Sequence, residues 1–177
     1  MTTPGEIRIL GLDPGSRITG FGLVDMTNGR GRYVASGSIR TGNGGLPERL
    51  RVLFEGVSEV VRVYNPMELA IEQIFMYRNA DSALKLGQAR GAALCAALVA
   101  GLPVAEYMPA VIKQAVVGRG DATKAQVQHM VKALLDLPAA PGVDAADALA
   151  VALCHIQTGH NPLSSAGPTN RRRGGWR

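Results

Sequence analysis

Two apolar, strand-like runs of this chain each carry one carboxylate, and no other feature restricts the fold as much. Asp13 ends the first, Ile9-Leu10-Gly11-Leu12-Asp13. Glu72 interrupts the second, which runs nearly unbroken from Leu69 to Phe75. An apolar run of that kind belongs in the middle of a sheet covered on both faces. A charge within it is costly unless it is paired or coordinates a metal. A second acidic pair, Asp144 and Asp147, stands at the head of an apolar helical pattern. Spacing of i, i+3 puts both carboxylates on one helical face. Adjacent strands can bring Asp13 and Glu72 together, and a helix packed on the sheet can supply the other two. Carboxylates that converge in this way point to one or two hard divalent cations and to metal-assisted phosphodiester chemistry.

Each acid also has a plain structural reading. Asp13 before Pro14 suits an Asx-type turn. Glu72 suits a salt bridge at a strand end. An acid at a helix N-cap with another at N3 resembles a capping box and is favoured by the helix dipole. The functional reading therefore rests on the combination of the four.

The rest of the pattern supplies a frame for them. Ile7 to Asp13 and Ile18 to Asp25 read as strands joined by Pro14-Gly15-Ser16-Arg17. Asn28-Gly29 is a hairpin signal leading to a third strand, Tyr33 to Ile39. Pro47 opens a helix with the stripe Leu50, Leu53, Phe54, Val57, Val61 and Tyr64, stopped by Asn65-Pro66. After the Leu69–Phe75 strand, Asp81 or Ser82 caps a helix running to about Leu98. Its many alanines and glycines permit close approach, in the core or to a second copy of the chain. Pro103 to Tyr107 is a short strand. Asp121 caps a helix with the stripe Val127, Met130, Val131, Leu134 and Leu135, and a last helix runs from about Asp144 to Ile156. The order βββαβαβαα gives a mixed sheet flanked by helices. Residues 1–158 are expected to form one domain. The Asn-, Pro-, Ser-, Gly- and Arg-rich stretch 159–177 is expected to be a disordered basic tail.

Charge is distributed to match. The chain has 19 basic and 14 acidic residues, a net +5, and no acid follows Asp147. Setting the four candidate acids aside leaves a basic body around an acidic spot. That suits a nuclease gripping phosphates, and equally a mildly basic protein with no nucleic-acid role. Cys95 and Cys154 lie in Ala/Leu/Val-rich stretches and read as buried free thiols in a reducing cytosol. No signal peptide and no run long enough to span a membrane is evident, so a cytoplasmic location is expected. His129, His155 and His160 require no ligand role.

Four segments, in order, resemble the RuvC family of Holliday junction resolvases, within the ribonuclease H-like nucleases. They are Gly11-Leu12-Asp13-Pro14-Gly15-Ser16-Arg17-Ile18-Thr19-Gly20, Ala70-Ile71-Glu72-Gln73-Ile74-Phe75, Asn79 to Gly91, and Asp144-Ala145-Ala146-Asp147-Ala148-Leu149-Ala150. The resemblance spans about Ile7 to Ile156. It implies an α/β fold with a mixed five-stranded sheet, three antiparallel strands then parallel ones, and helices on both faces. It implies a metal-dependent endonuclease that resolves four-way DNA junctions as a homodimer, with a branch-migration helicase complex of the RuvA–RuvB type as partner. It further implies that Asp13, Glu72, Asp144 and Asp147 hold two Mg²⁺ ions, with Mn²⁺ able to substitute. Lys113 and Lys124 match positions that contact phosphates near the scissile bond, Lys124 with a catalytic role. Phe75 matches a residue that stacks in the opened junction.

From the residues alone, Lys124 also reads as a solvated first-turn lysine and Lys113 as a core-edge residue that snorkels. Phe75 reads either as core or, given the polar Met76-Tyr77-Arg78-Asn79 that follows, as a loop aromatic available to bases. Three rivals stay open at this level. One is a single-lobed relative of actin-like ATPases, whose phosphate hairpin Gly11 to Ser16 resembles. The others are a catalytically dead junction-binding module and a ribonuclease H-like nuclease acting on RNA.

Overall fold

A computed structural model describes residues 6–74 and 79–158. Among them, strands β1 (Ile7–Asp13), β2 (Ile18–Thr27), β3 (Arg30–Arg40), β4 (Glu68–Glu72) and β5 (Val104–Tyr107) form one sheet in the order β3-β2-β1-β4-β5. β1 pairs antiparallel with β2, and β2 with β3, while β4 and β5 continue parallel to β1. The expected sheet is therefore present, and β1 has the bounds read from the sequence. β4 is shorter than expected and ends at Glu72.

Successive residues of β1 enter opposite cores because strand side chains alternate. Leu10 and Leu12 meet α1 (Leu46–Tyr64) and α2 (Ala80–Val99) on one face. Ile9 meets α3 (Pro109–Val117), α4 (Lys124–Leu134) and α5 (Val143–Gln157) on the other. Helix α3 is a correction to the expected order, which becomes βββαβαβααα. Pro109 in its first turn and the left-handed Gly118 at its end were its signals. Nine residues of paired apolar positions carry too little periodicity to show a stripe.

Other corrections concern helix starts. Asn79, not Asp81 or Ser82, caps α2 by accepting from the Ser82 amide. Thr123, not Asp121, caps α4 in a capping box with Gln126; Asp121 pairs with Arg119 instead. Gly142 caps α5, so Asp144 and Asp147 lie inside the helix and form no capping box. Their carboxylates are left for other work. Cys95 is exposed on α2, against expectation, whereas Cys154 is buried. Burial pushes the Cys154 thiol up to about 12.

Helix α5 lies directly on the sheet backbone. A methyl group on Gly11 would overlap the Ala148 carbonyl oxygen and come within 2.8 Å of the Ala152 amide nitrogen. One on Gly20 would overlap the Asp144 carbonyl, and one on Gly22 would stand 2.8 Å from the Leu149 nitrogen. The far end of the sheet is closed by a different device. Fully buried Asp25 is held by Arg8 at 2.6 Å and Arg32 at 2.7 Å. No helix of the described residues is long and apolar enough to cross a membrane.

The glycine contacts predict a severe penalty for one carbon. Gly11→Ala should cost about 3 kcal/mol or more, at or above the upper end for overpacking, because helix backbone must move to admit it. Denaturant unfolding measures this. A loss below about 1 kcal/mol would show that α5 is not seated as described.

Candidate active site

Parallel strands end together, and the crevice beyond their carboxyl ends is the usual place for a site in an open α/β sheet. Leu12 and Ile71 are register partners on β1 and β4, so Asp13 and Glu72 follow side by side on neighbouring strands. Asp13 shares its sheet face with Gly11, against α5, whose second turn presents Asp147. Lys113 comes from α3 and Lys124 from the start of α4. Asp13, Glu72, Asp147, Lys113 and Lys124 line one cavity of about 500 Å³. Asp144, one turn before Asp147, instead lines a neighbouring groove against β3. Phe75 lies outside the described residues, three positions beyond the end of β4.

The electrostatics follow from this crowding. Burial, then repulsion from Glu72 and Asp147, pushes the Asp13 carboxyl up to about 7, with Lys124 opposing and Asp144 adding a little. Burial and Asp147 raise Glu72, opposed by Lys124 and Lys113. Lys124 Nζ donates to Asp147 Oδ2 at 2.7 Å, and this contact raises the lysine's own pKa. Oxygen-only, mutually repelling carboxylates are the donor set that hard divalent cations prefer. The donor chemistry fits such ions, although among the described residues no three of these side chains already close into a ligand shell.

The residues that hold the acids in place were not evident from the sequence. The Thr19 hydroxyl bridges Gly15 N and O, fixing the turn after Asp13. Thr41 and buried Arg49 donate to the Ser16 carbonyl from behind that turn. Arg90 Nε reaches the Glu72 carbonyl at 3.3 Å. Buried His155, near the end of α5, has Nε2 2.6 Å from Glu68 Oε2 and Nδ1 2.6 Å from the Tyr107 hydroxyl. These two contacts tie α5 to β4 and β5. Exposed His129 lies mid-helix on α4. Of these, only Thr19 and Arg90 lie inside the motif segments of the sequence.

A five-stranded sheet in this order, with carboxylates at the ends of its first and fourth strands and on the helix packed across them, defines a ribonuclease H-like nuclease. The family model "Crossover junction endodeoxyribonuclease RuvC" matches residues 9–155. A relative of that description from Shewanella amazonensis is 60% identical over 159 residues, 90% of this chain and 91% of the relative. The Thermus thermophilus RuvC structure is 37% identical, with TM-score 0.76, covering 84% of this chain and 93% of that one. T. thermophilus RuvC in complex with a Holliday junction substrate gives 37% identity and TM-score 0.80, covering 86% and 94%. The chain belongs to the RuvC family of crossover junction endodeoxyribonucleases. Its activity is endonucleolytic resolution of Holliday junctions, and the matches do not favour ATP turnover or action on RNA.

The raised Asp13 predicts a stability trade. A carboxyl with a folded pKa above its unfolded value binds its proton more tightly when folded. Its contribution is therefore fully present below pH 3.8 and is lost as pH rises through about 7. Asp13→Asn should stabilise metal-free protein at pH 8 by at most about 4 kcal/mol, seen as a higher melting temperature, with the gain fading toward pH 4. Melts in chelator across that range test this. A pH-independent effect would contradict the burial of the charge.

Proposed function

We propose that Asp13, Glu72, Asp144 and Asp147 hold two Mg²⁺ ions, with Mn²⁺ able to substitute, and that this centre cuts junction DNA. The observation that carries this reading is the placement of Asp13 and Glu72 on adjacent strand ends, with Asp147 and Lys124 across the same cleft. When bound, the ions would supply an activated water and stabilise the departing oxygen. The chain's own residues do the remainder. The sheet holds two carboxylates and α5 holds two more, so their spacing is set by packed backbone. Lys124 and Lys113 bring positive charge to the cleft wall, where it offsets charge on the transferring phosphoryl group. Ile74, Leu86 and Val127 form apolar walls of the cavity that limit water. Phe75 is proposed to stack on bases at the opened crossover.

Paired, symmetric cuts require two sites related by a two-fold axis, so we propose a homodimer. The outer face of α2 suits the seam. Leu84 and Leu98 are exposed, and Gly87 and Gly91 between them have open space where a Cβ would stand. A cytoplasmic setting and a branch-migration helicase complex as partner belong to the same proposal.

Glu72→Gln and Asp147→Asn should each cut a mobile four-way junction at less than about one hundredth of the normal rate. Junction binding without metal should be retained or tightened, since each change removes a negative charge facing DNA. Gel shift and cleavage in Mg²⁺ read the two effects. Near-normal cutting by either variant would remove that residue from the centre.

Light scattering should give twice the mass of one chain, and Gly91→Arg should halve it and abolish paired cutting. A wild-type protein that resolves junctions as a monomer would refute the dimer.

A further inference from the structure

The edge strand β3 has one free edge, and its end nearest the catalytic cleft is polar. Ser38 is the register partner of Gly20, itself the partner of Asp13. Opposed residues of an antiparallel pair face the same way, so Ser38 lies on the Asp13 side of the sheet, as do Ser36 and Arg40 two residues to either side. These three, with Tyr33, form one wall of a groove of about 590 Å³. The opposite wall is the loop ahead of α5, and Asp144 closes the end toward the cleft. The Tyr33 hydroxyl and Ser36 Oγ lie 3.2 Å apart. Arg40 is exposed, and its side chain makes no hydrogen bond or ion pair among the described residues. Gly142 begins α5 on the same groove without a side-chain cap, so the positive end of the helix dipole is felt there.

We propose that this groove is a second DNA-backbone site, in which Ser38 and Arg40 hold a phosphate of the strand being cut, on the side of the cleft opposite Lys113 and Lys124. Three observations support the choice of occupant. The groove meets the catalytic cleft at Asp144, whose backbone lies directly over Gly20, the residue between Asp13 and Ser38 in the sheet register. Its β3 wall carries hydroxyls and one unpaired guanidinium, donors that suit a phosphate diester, while the opposite wall, with Leu137, Pro138 and Val143, can lie against sugar carbons. The distance also fits. Two strand spacings of about 4.8 Å separate Asp13 from Ser38, or about 10 Å, which a strand covers with the nucleotides next to the scissile phosphate. A strand with its scissile phosphate at Asp13 therefore reaches Arg40 within a few nucleotides. Lys113 and Lys124 flank the acids from α3 and α4, while Arg40 flanks them from β3, so the scissile phosphate is held between basic groups on both sides.

This assignment rests on the junction-cutting reading of the adjacent cleft, and the test separates the two. Binding of a four-way junction in chelator is measured across a salt series for wild type, Arg40→Ala, Arg40→Lys and Ser38→Asp. Arg62→Ala, at the far end of α1, serves as a control with the same charge change. Arg40→Ala should weaken binding and reduce the slope of log affinity against log salt by about one for each engaged groove. Arg40→Lys should restore most of the slope, Ser38→Asp should weaken binding further, and Arg62→Ala should leave the slope unchanged. Single methylphosphonates are then placed at each phosphate flanking the cut. One position should weaken wild type and leave Arg40→Ala unaffected. Equal slopes for wild type and Arg40→Ala, or methylphosphonate losses of equal size in both proteins at every position, would overturn the site. Failure of wild type to cut in Mg²⁺ would count against the metal centre alone, because the binding measurements need no cleavage.

Discussion

Everything at the catalytic end of this molecule depends on how closely α5 lies on β1 and β2. Gly11, Gly20 and Gly22 remove the side chains that would otherwise hold the helix off the sheet, and helix carbonyls and amides fill the space. Gly11 and Gly22 are register partners, as are Asp13 and Gly20, so the glycines form a flat patch on one face of the antiparallel pair. Asp147 is thereby brought into the cavity of Asp13 and Glu72. An alanine-rich helix suits the seat. Ala145, Ala146, Ala148, Ala150 and Ala152 are all buried and none is large enough to lift it.

The charge arrangement opposes this packing. Burial and mutual repulsion raise both Asp13 and Glu72, so the folded chain concentrates negative charge where it is least welcome. Lys124 relieves part of it through Asp147. At the other end of the sheet Asp25 is more deeply buried than either, yet Arg8 and Arg32 hold both its oxygens. The comparison separates a structural buried acid from acids left under-neutralised for a purpose.

Much of this was legible in the sequence because it is local. The apolar run of β1, the Asn28-Gly29 turn and the apolar run before Glu72 each depend on neighbours a few residues away, and from them came a mixed sheet and the sequence of its strands along the chain. The acids were legible because a carboxylate in an apolar context is conspicuous. Helix α3 was missed because its stripe is short, with only Ile112 and Val116 deeply buried. Cys95 was misplaced because an alanine-rich helix looks equally buried on all sides. The groove at Arg40 and the bracing by Thr41, Arg49 and His155 depend on contacts between residues 24 to 87 positions apart, which no periodicity encodes.

The ring of His155 has a consequence for the rotational phase of α5. An α-helix advances about 1.5 Å and turns about 100° per residue, so a slip of one residue would swing Asp147 away from the cavity while barely changing the helix's height. Glycine contacts fix how near α5 lies to the sheet, but a smooth alanine surface resists rolling poorly. His155 lies eight residues beyond Asp147, and its two ring nitrogens are engaged by Glu68 on β4 and Tyr107 on β5. Two fixed directions on one ring leave the helix a single angular setting. The imidazole thus works as a key against rotation, two turns away from the carboxylate whose bearing it sets.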